Sequence, residues 1–260
     1  MTSTMKANKN KSKKTFLAKT AAVLLALAVW QAVAMLIDSE LILVTPIEVI
    51  KRLFTVWREP GFFASIAFTS SKIILGFLAA FFIGIGLGAL AGRFRVAEIL
   101  LWPWMLTVKS VPIASFVLII LLFVSSADIS VFISFLIVLP IIYTNVLSAI
   151  KSTDSKLLEA AKLFGTPAKY RLLYIRLPQI KPYLISASSV GCGLAFKAGV
   201  AAELIGIPTG SIGEALYNAK IYLNSADLFA WTVIIILMSV LFEKLFIFLL
   251  RLVFAGTEKL

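Results

Sequence analysis

The chain has 260 residues, of which 60% are hydrophobic and 15% charged, with a net charge of +12; soluble domains average about 45–50% apolar and 25% charged residues. Because apolar runs of about 20 residues recur, each long enough to cross the hydrocarbon core of a bilayer, we predict an integral membrane protein. The lack of histidine and the single cysteine, Cys192, argue against an enzyme, so we expect no catalytic residue, metal ligand or cofactor.

The chain is predicted to be an all-α membrane protein with six transmembrane helices. A basic tail at 1–15 precedes a single transmembrane domain at 16–260. The first apolar run follows Lys6 to Lys19 and contains Ala32-Val33-Ala34, so a cleaved signal peptide is an alternative, but the run is long for one and a retained helix is favoured. The six predicted spans are 16–37, 62–92, 103–125, 129–150, 183–205 and 228–253.

The connection after the first span, Asp38 to Gly61, has the pattern of an amphipathic helix. Its apolar residues repeat with helical spacing among charged ones, which is typical of a helix lying in the membrane interface. Contact with an extracytoplasmic partner is the alternative. The apolar positions are Ile47, Ile50, Leu53, Phe54 and Trp57.

Basic residues predict the orientation, because Lys and Arg resist translocation. Eighteen of the 25 Lys and Arg residues fall on one face, which includes the tail, the connection after the second span, the connection after the fourth span and the C-terminal end. Both termini are therefore predicted to lie in the cytoplasm, with the chain in a prokaryotic plasma or inner membrane. The excess charge is explained by this topology, and no nucleic-acid partner is expected.

Small residues recur every fourth position in two spans and predict close approach of another helix backbone. They are Gly76, Ala80, Gly84, Gly88 and Gly92 in the second span, and Gly191, Ala195 and Gly199 in the fifth. No GxxxxGK[ST] phosphate loop occurs in the sequence, so we expect no ATP hydrolysis by this chain.

Prolines and ionisable residues inside the spans are candidates for a translocation path. Pro112 and Pro140 are predicted to interrupt the third and fourth spans, either as simple kinks or beside a cavity. Lys109 precedes Pro112 by one turn, and Lys197 and Glu203 lie in the fifth span. Such residues usually face a bundle interior or an aqueous path, although snorkelling towards the interface is the alternative.

The connection at about 151–181 is predicted to form two short helices. Asp154 or Ser155 can cap the first, and Gly165 can end it in a left-handed conformation. Pro167 would begin the second helix and Pro178 would close it. The first helix is too short to be stable alone and needs a surface to pack on, either in this chain or in a partner.

This connection resembles the cytoplasmic loop of the permease subunits of binding-protein-dependent ABC importers. The loop pattern is Glu-Ala-Ala, three residues, Gly, nine residues, Ile-x-Leu-Pro. It is matched by Glu159, Ala160, Ala161, Gly165, Ile175, Leu177 and Pro178.

Further positions resemble the nitrate, sulfonate, taurine and bicarbonate branch of that family. They are Lys109–Ala114, Ala201–Glu203 and Gly210–Gly213, within a likeness running from about Gly76 to Leu250. Phe116-Val-Leu, Phe123-Val-Ser-Ser and Phe196 depart from the branch pattern, which weakens any inference about the substrate.

The resemblance implies a type I importer permease whose short helix from Glu159 to Gly165 is a coupling helix. The helix would bind a separate ATPase subunit, with an ATPase dimer, a second permease subunit and an extracytoplasmic solute-binding protein as partners. The binding protein would dock on outer loops including Ile207 to Asp227. The Gly-rich second and fifth spans would be candidates for close packing in the permease dimer.

The resemblance also implies a small solute as substrate, with an organic or inorganic anion such as a sulfonate or nitrate as a candidate. Lys109, Pro112, Lys197 and Glu203 would be the residues of the translocation path. An ATP-independent channel or secondary carrier is the alternative function, and a non-transporting scaffold is a further one.

Overall fold

The structure is a computed structural model that describes residues 2–39 and 42–258, without the side chains of 2–16, 155 and 256–258. The basic side chains from Lys6 to Lys14, which contribute to the predicted orientation, are therefore outside the described residues, as is Lys259. Within the described ranges the chain is helical and has no strand, which confirms the all-α class. The helices are α1 Thr2–Ile37, α2 Pro46–Val56, α3 Phe62–Arg93, α4 Arg95–Ser110, α5 Ile113–Leu121, α6 Ile129–Lys151, α7 Ser155–Leu163, α8 Ala168–Arg171, α9 Leu177–Gly206, α10 Ile212–Ile221 and α11 Ser225–Glu258.

Five helical segments are long and apolar enough to cross a membrane, and a sixth span results if the bent pair α4 and α5 is counted as one. The five segments are Leu17–Ile37, Phe62–Arg93, Ser126–Lys151, Ala168–Gly206 and Ser225–Ala255. Each contains one of the predicted spans almost entirely. Length and hydropathy together therefore predicted these elements well.

The third predicted span, 103–125, is interrupted at Pro112, as predicted. α4 and α5 are bent by 103° at the break between them. Val111 and Pro112 both have extended backbones there, with ψ of 134° and 135°, because proline lacks an amide hydrogen and disfavours helical geometry in the residue before it. Pro140, by contrast, lies inside an unbroken α6, so the predicted interruption of the fourth span is not seen.

The contacts divide the chain into two compact units, of which the larger comprises Gly61–Tyr217 and Val233–Leu260. Its core is formed by α3, α6 and α9, which pack on one another. The glycines of α3 lie directly against α6: a Cβ atom placed on Gly88 would lie 2.8 Å from Val146 Cβ, and one on Gly92 would lie 2.8 Å from Ile150 Cγ2. Gly199 of α9 faces Ile73 of α3 in the same way.

These small-residue faces therefore pack helices of the same chain against one another. The sequence spacing predicts close approach without identifying the approaching helix, and the structure identifies helices of the same chain. Packing of the second and fifth spans in a permease dimer stays a prediction. An aromatic group completes the packing on α3, where Phe77 makes edge-to-face contacts with Phe242 and Phe246 at centroid distances of 5.2 and 4.9 Å.

The smaller unit comprises Met1–Pro60 and Asn218–Thr232. Thr45 caps α2 by accepting a hydrogen bond from Glu48 N, with Pro46 as the first helical residue. This confirms a helix within Asp38 to Gly61. Trp30 of α1 donates a hydrogen bond to Val44 O at 3.1 Å and packs its ring against Phe229.

An ion-pair group in the smaller unit joins α2 to the segment that begins α11. Arg52 binds both Asp227 and Glu59, and Asn224 donates a hydrogen bond to Asp227 at 2.7 Å. The hydrogen bond to Asp227 raises the pKa of Arg52 above its usual value. The opposite face of α2 exposes the apolar side chains of Ile47, Ile50, Phe54 and Trp57, and its position in the membrane interface stays a prediction.

Candidate functional site

The helix predicted to contact an ATPase is α7, and both of its ends are fixed by local hydrogen bonds. Asp154 caps the first turn by accepting a hydrogen bond from Lys156 N at 2.9 Å. Gly165 has a φ of +69°, while Gly165 N donates to Lys162 O and Thr166 N donates to Ala161 O, both at 2.9 Å. These two bonds form a complete Schellman motif. The predicted cap and the predicted left-handed glycine are both confirmed.

One end of α7 carries large apolar side chains that nothing in the described chain covers. Leu163 and Phe164 are 87% and 88% exposed, and Leu157 is 47% exposed. On the other side Leu158 is half-buried and Ala161 is partly covered. The sequence left open whether α7 packs on its own chain or on a partner. One side of α7 faces its own chain, whereas its C-terminal end is exposed.

The connection after α7 differs from the prediction at Pro178. The helical path does not end there: α8 leads into a π-helix at Leu172–Arg176, and α9 begins at Leu177 with Pro178 in its first turn. In the π-helix Leu177 N donates to Leu172 O, five residues back. This wider turn accommodates a proline ring that would collide with a carbonyl group in a regular α-helix. The pattern residues Ile175 and Leu177 are half-buried, and Pro178 is exposed.

As a result, a continuous helical segment runs from Ala168 to Gly206 and joins the loop to the fifth span. Asp154 N donates a hydrogen bond to Gln179 Oε1 at 3.4 Å, which ties the start of α7 to the start of α9. The short capped helix and the long span are therefore held together at their adjoining ends.

The predicted path residues fall into two groups. Lys109 in the last turn of α4 and Pro112 at the bend are exposed. Lys197 is exposed on α9, in a row with Val190 and Gly193. A Cβ atom added to Gly193 would meet nothing within 4 Å. This face of α9 is the one that the larger unit leaves uncovered.

Glu203, in contrast, is completely buried and does not belong to the exposed row. Its Oε2 atom accepts hydrogen bonds from Thr69 Oγ1 at 2.7 Å and from Gly213 N at 3.3 Å. Thr69 Oγ1 in turn accepts a hydrogen bond from Ile212 N at 2.9 Å. An added Cβ atom on Gly213 would lie 2.8 Å from Leu204 N, so a side chain there would collide with the backbone of α9. We name this group, Thr69, Glu203, Ile212 and Gly213, the Glu203 clasp.

Sequence reasoning missed Thr69 as the partner of Glu203, and also two further polar pairs. Lys72 forms an ion pair with Asp128, and Ser189 donates a hydrogen bond to Glu243. The available signal was the presence of polar residues inside apolar runs, since a buried polar group needs a partner. The residues of the first two pairs are 134 and 56 positions apart, so the sequence does not indicate which residue is the partner of which.

Comparisons with known proteins show the family of the chain. The family described as "Binding-protein-dependent transport system inner membrane component" matches residues 80–259. The chain is 26% identical over 231 residues to the taurine transport system permease protein of Escherichia coli strain K12, covering 86% of this chain and 83% of that protein. It is 24% identical over 211 residues to the "Putative aliphatic sulfonates transport permease protein" of Bacillus subtilis strain 168, covering 80% and 76%. A "Probable ABC transporter permease protein" of Brucella melitensis biotype 1 is 24% identical over 201 residues, covering 77% and 81%.

Proposed function

The chain belongs to the inner-membrane components of binding-protein-dependent transport systems, and from this premise we propose that it works by coupling a separate ATPase to its own spans through α7. The observation that carries this proposal is the pair of exposed apolar side chains, Leu163 and Phe164, at the end of a helix fixed by caps. Exposed large apolar groups on a rigid element are a favourable surface for a protein partner.

Each residue of the loop pattern has a role in this proposal. Glu159, which is exposed, pairs with the ATPase, and the small side chains of Ala160 and Ala161 permit close approach of its backbone. Gly165 sets the left-handed turn that ends α7. Ile175 lies in the π-helix, and Leu177 and Pro178 lie in the first turn of α9, so these residues join the loop to α9.

Transmission of the movement rests on the stiffness of the helical segment from Ala168 to Gly206. When two ATPase subunits close, the capped α7 and the hydrogen-bonded start of α9 move together as a rigid body. α9 carries the displacement to the exposed row that contains Lys197. Rigid-body rocking of packed helices is an established way to alternate between two arrangements.

The translocation path is proposed to run beside Lys109, Pro112 and Lys197, all of which are exposed in this chain. A second permease subunit, identical or not, would enclose the path from the other side. We assign Glu203 a positioning role, since its carboxylate holds the end of α9 through the Glu203 clasp. The positive charges and the names of the taurine and sulfonate relatives support a small anionic solute.

The solute-binding protein is proposed to dock on the outer loops, including Ile207 to Asp227. A cleft of about 360 Å³ in the smaller unit supports this site, with Glu48 and residues 222–226 among its lining residues. In the orientation predicted from the basic residues, both termini and α7 lie in the cytoplasm of a prokaryotic cell, and the chain lies in its plasma or inner membrane.

The test is recovery of an ATPase with the affinity-tagged chain from its native membrane. We expect a Walker-motif ATPase to be recovered with the unchanged chain and to be lost with Leu163→Ala/Phe164→Ala. Burial of a Leu or Phe side chain contributes about 1.5–3 kcal/mol, so the double change weakens binding at least about a hundredfold.

Leu122→Ala/Phe123→Ala is the matched control, because this second Leu-Phe pair is 79% and 82% exposed at the end of α5. The control should retain the ATPase. Equal recovery with both variants would disprove the contact at α7. Solute transport by the chain reconstituted without any ATPase would instead favour a channel or secondary carrier.

A further inference from the structure

Four basic side chains surround one cavity beside α7. The cavity has a volume of about 370 Å³, and Arg93, Lys162, Arg171 and Arg176 line it together with Leu158, Ala168 and Leu172. We name it the basic cavity. A volume of this size is in the range of small-ligand sites, and all of its lining residues belong to the larger unit.

The cations reach the cavity from four different elements. Arg93 is the last residue of α3, Lys162 lies in the last turn of α7, and Arg171 and Arg176 border the π-helix. In a regular α-helix, side chains five positions apart point about 140° away from each other. The π-helix closes its turn over five residues, which brings Arg176 towards the side of Arg171. The irregular turn thus directs both guanidinium groups into one cavity.

Four like charges around one cavity repel one another, and an anion in the cavity removes this repulsion. Three of the four are arginines, whose planar guanidinium groups bind phosphate oxygens with two parallel hydrogen bonds. The ligand chemistry that best fits the cavity is therefore a phosphate group.

We propose that the basic cavity binds a phosphate group, supplied by the headgroup of an anionic phospholipid. The cavity adjoins Arg93, the first charged residue after the 20-residue apolar run from Ile73 to Gly92. A run of this length crosses the hydrocarbon core, so the residue that follows it is expected at the level of the lipid headgroups. Basic pockets at the cytoplasmic ends of spans are suited to such headgroups, and Leu158 and Leu172 offer an apolar wall for the first acyl carbons. The cytoplasmic side rests on the orientation given in the proposed function.

The bound phosphate braces the coupling helix. Because Lys162 belongs to α7 and Arg93 to α3, one phosphate between them joins the loop to the core of the larger unit. The lipid then sets how stiffly α7 is held, and anionic lipid content regulates coupling through the same contact.

The test compares phosphatidylglycerol with phosphatidylcholine, each titrated onto the delipidated full chain in a neutral detergent, with bound lipid counted by native mass spectrometry. We expect the unchanged chain to prefer phosphatidylglycerol. Arg171→Gln/Arg176→Gln should weaken that binding by about tenfold or more, since a hydrogen bond to a charged group is worth roughly a factor of ten. Arg95→Gln/Lys169→Gln is the control, because it removes the same charge outside the cavity and should change binding less than about twofold.

A second arm separates the two sources of phosphate. The unchanged chain could bind inorganic phosphate and show no preference for phosphatidylglycerol over phosphatidylcholine. This result would identify the ligand as a free anion and overturn the lipid as its source. Equal losses in the two charge variants would overturn the site. If the double arginine variant does not fold, Arg93→Gln against Arg95→Gln gives the same comparison.

These measurements need no ATPase, so their outcome is independent of the proposed function. Preferred binding of phosphatidylglycerol by a chain that recovers no ATPase would refute the coupling proposal and leave the basic cavity in place.

Discussion

Replacing Gly88 by alanine tests the packing of α3 against α6. The added Cβ atom would lie 2.8 Å from Val146 Cβ, 2.9 Å from Val146 Cγ1 and 3.0 Å from Tyr143 O. All three neighbours are close to the backbone of α6, so the collision is relieved only by moving one helix. Such overpacking costs about 1–3 kcal/mol, which lowers the unfolding temperature by about 2–12 °C at 2–4 °C per kcal/mol.

Gly86→Ala is the matched control, because it lies two residues away in the same helix and its added Cβ atom would meet nothing within 4 Å. Alanine favours a helix over glycine by about 1 kcal/mol, so the control should unfold at the same temperature or higher. Cys192 reports the transition, since it is the only cysteine and is fully buried. A thiol-reactive dye therefore becomes fluorescent only when the core opens. An unfolding temperature of Gly88→Ala at or above that of Gly86→Ala would refute the helix pairing.

Two further predictions concern polar contacts. Thr69→Val removes the donor to Glu203 and the acceptor of Ile212 N, so we expect the free energy of unfolding to fall by about 1–3 kcal/mol in the same dye assay. Thr69→Ser retains the hydroxyl group and should recover most of this stability. A Ser variant as unstable as the Val variant would contradict the hydrogen-bond role. Arg52→Gln and Asp227→Asn should be coupled by about 1 kcal/mol in a double-mutant cycle, because side-chain exposures of 22% and 18% place this pair between a surface and a buried ion pair; additive effects of the two changes would show that the pair contributes nothing.

Local chemistry explains what the sequence could predict. A span needs about 20 apolar residues wherever it lies, so hydropathy located α3, α6, α9 and α11 without knowledge of their neighbours. The caps of α7 likewise involve residues within five positions of one another, Asp154 with Lys156 and Gly165 with Lys162. Both could therefore be predicted from the types of residue and their spacing.

Features that depend on a distant partner could not be predicted. The glycine spacing of α3 predicted close packing, but only the structure identifies α6 as the approaching helix. The prediction was right at Pro112, which coincides with a 103° bend, and wrong at Pro140 and Pro178, which both lie within continuing helices. The difference arises from the turn before each proline: the π-helix before Pro178 removes the collision, and nothing in the residue types alone indicates it.

The wide turn before Pro178 also supplies the stiffness that the proposed coupling along α9 requires. A loop ended by a broken helix would swing independently of the span, whereas a continuous segment from Ala168 to Gly206 transmits a displacement along its length. The segment is held near one end by the bond between Asp154 and Gln179 and at the other by the Glu203 clasp. Under the proposed function, closure of an ATPase at α7 would therefore rotate α9 together with α3, and the face carrying Lys197 would move as a unit.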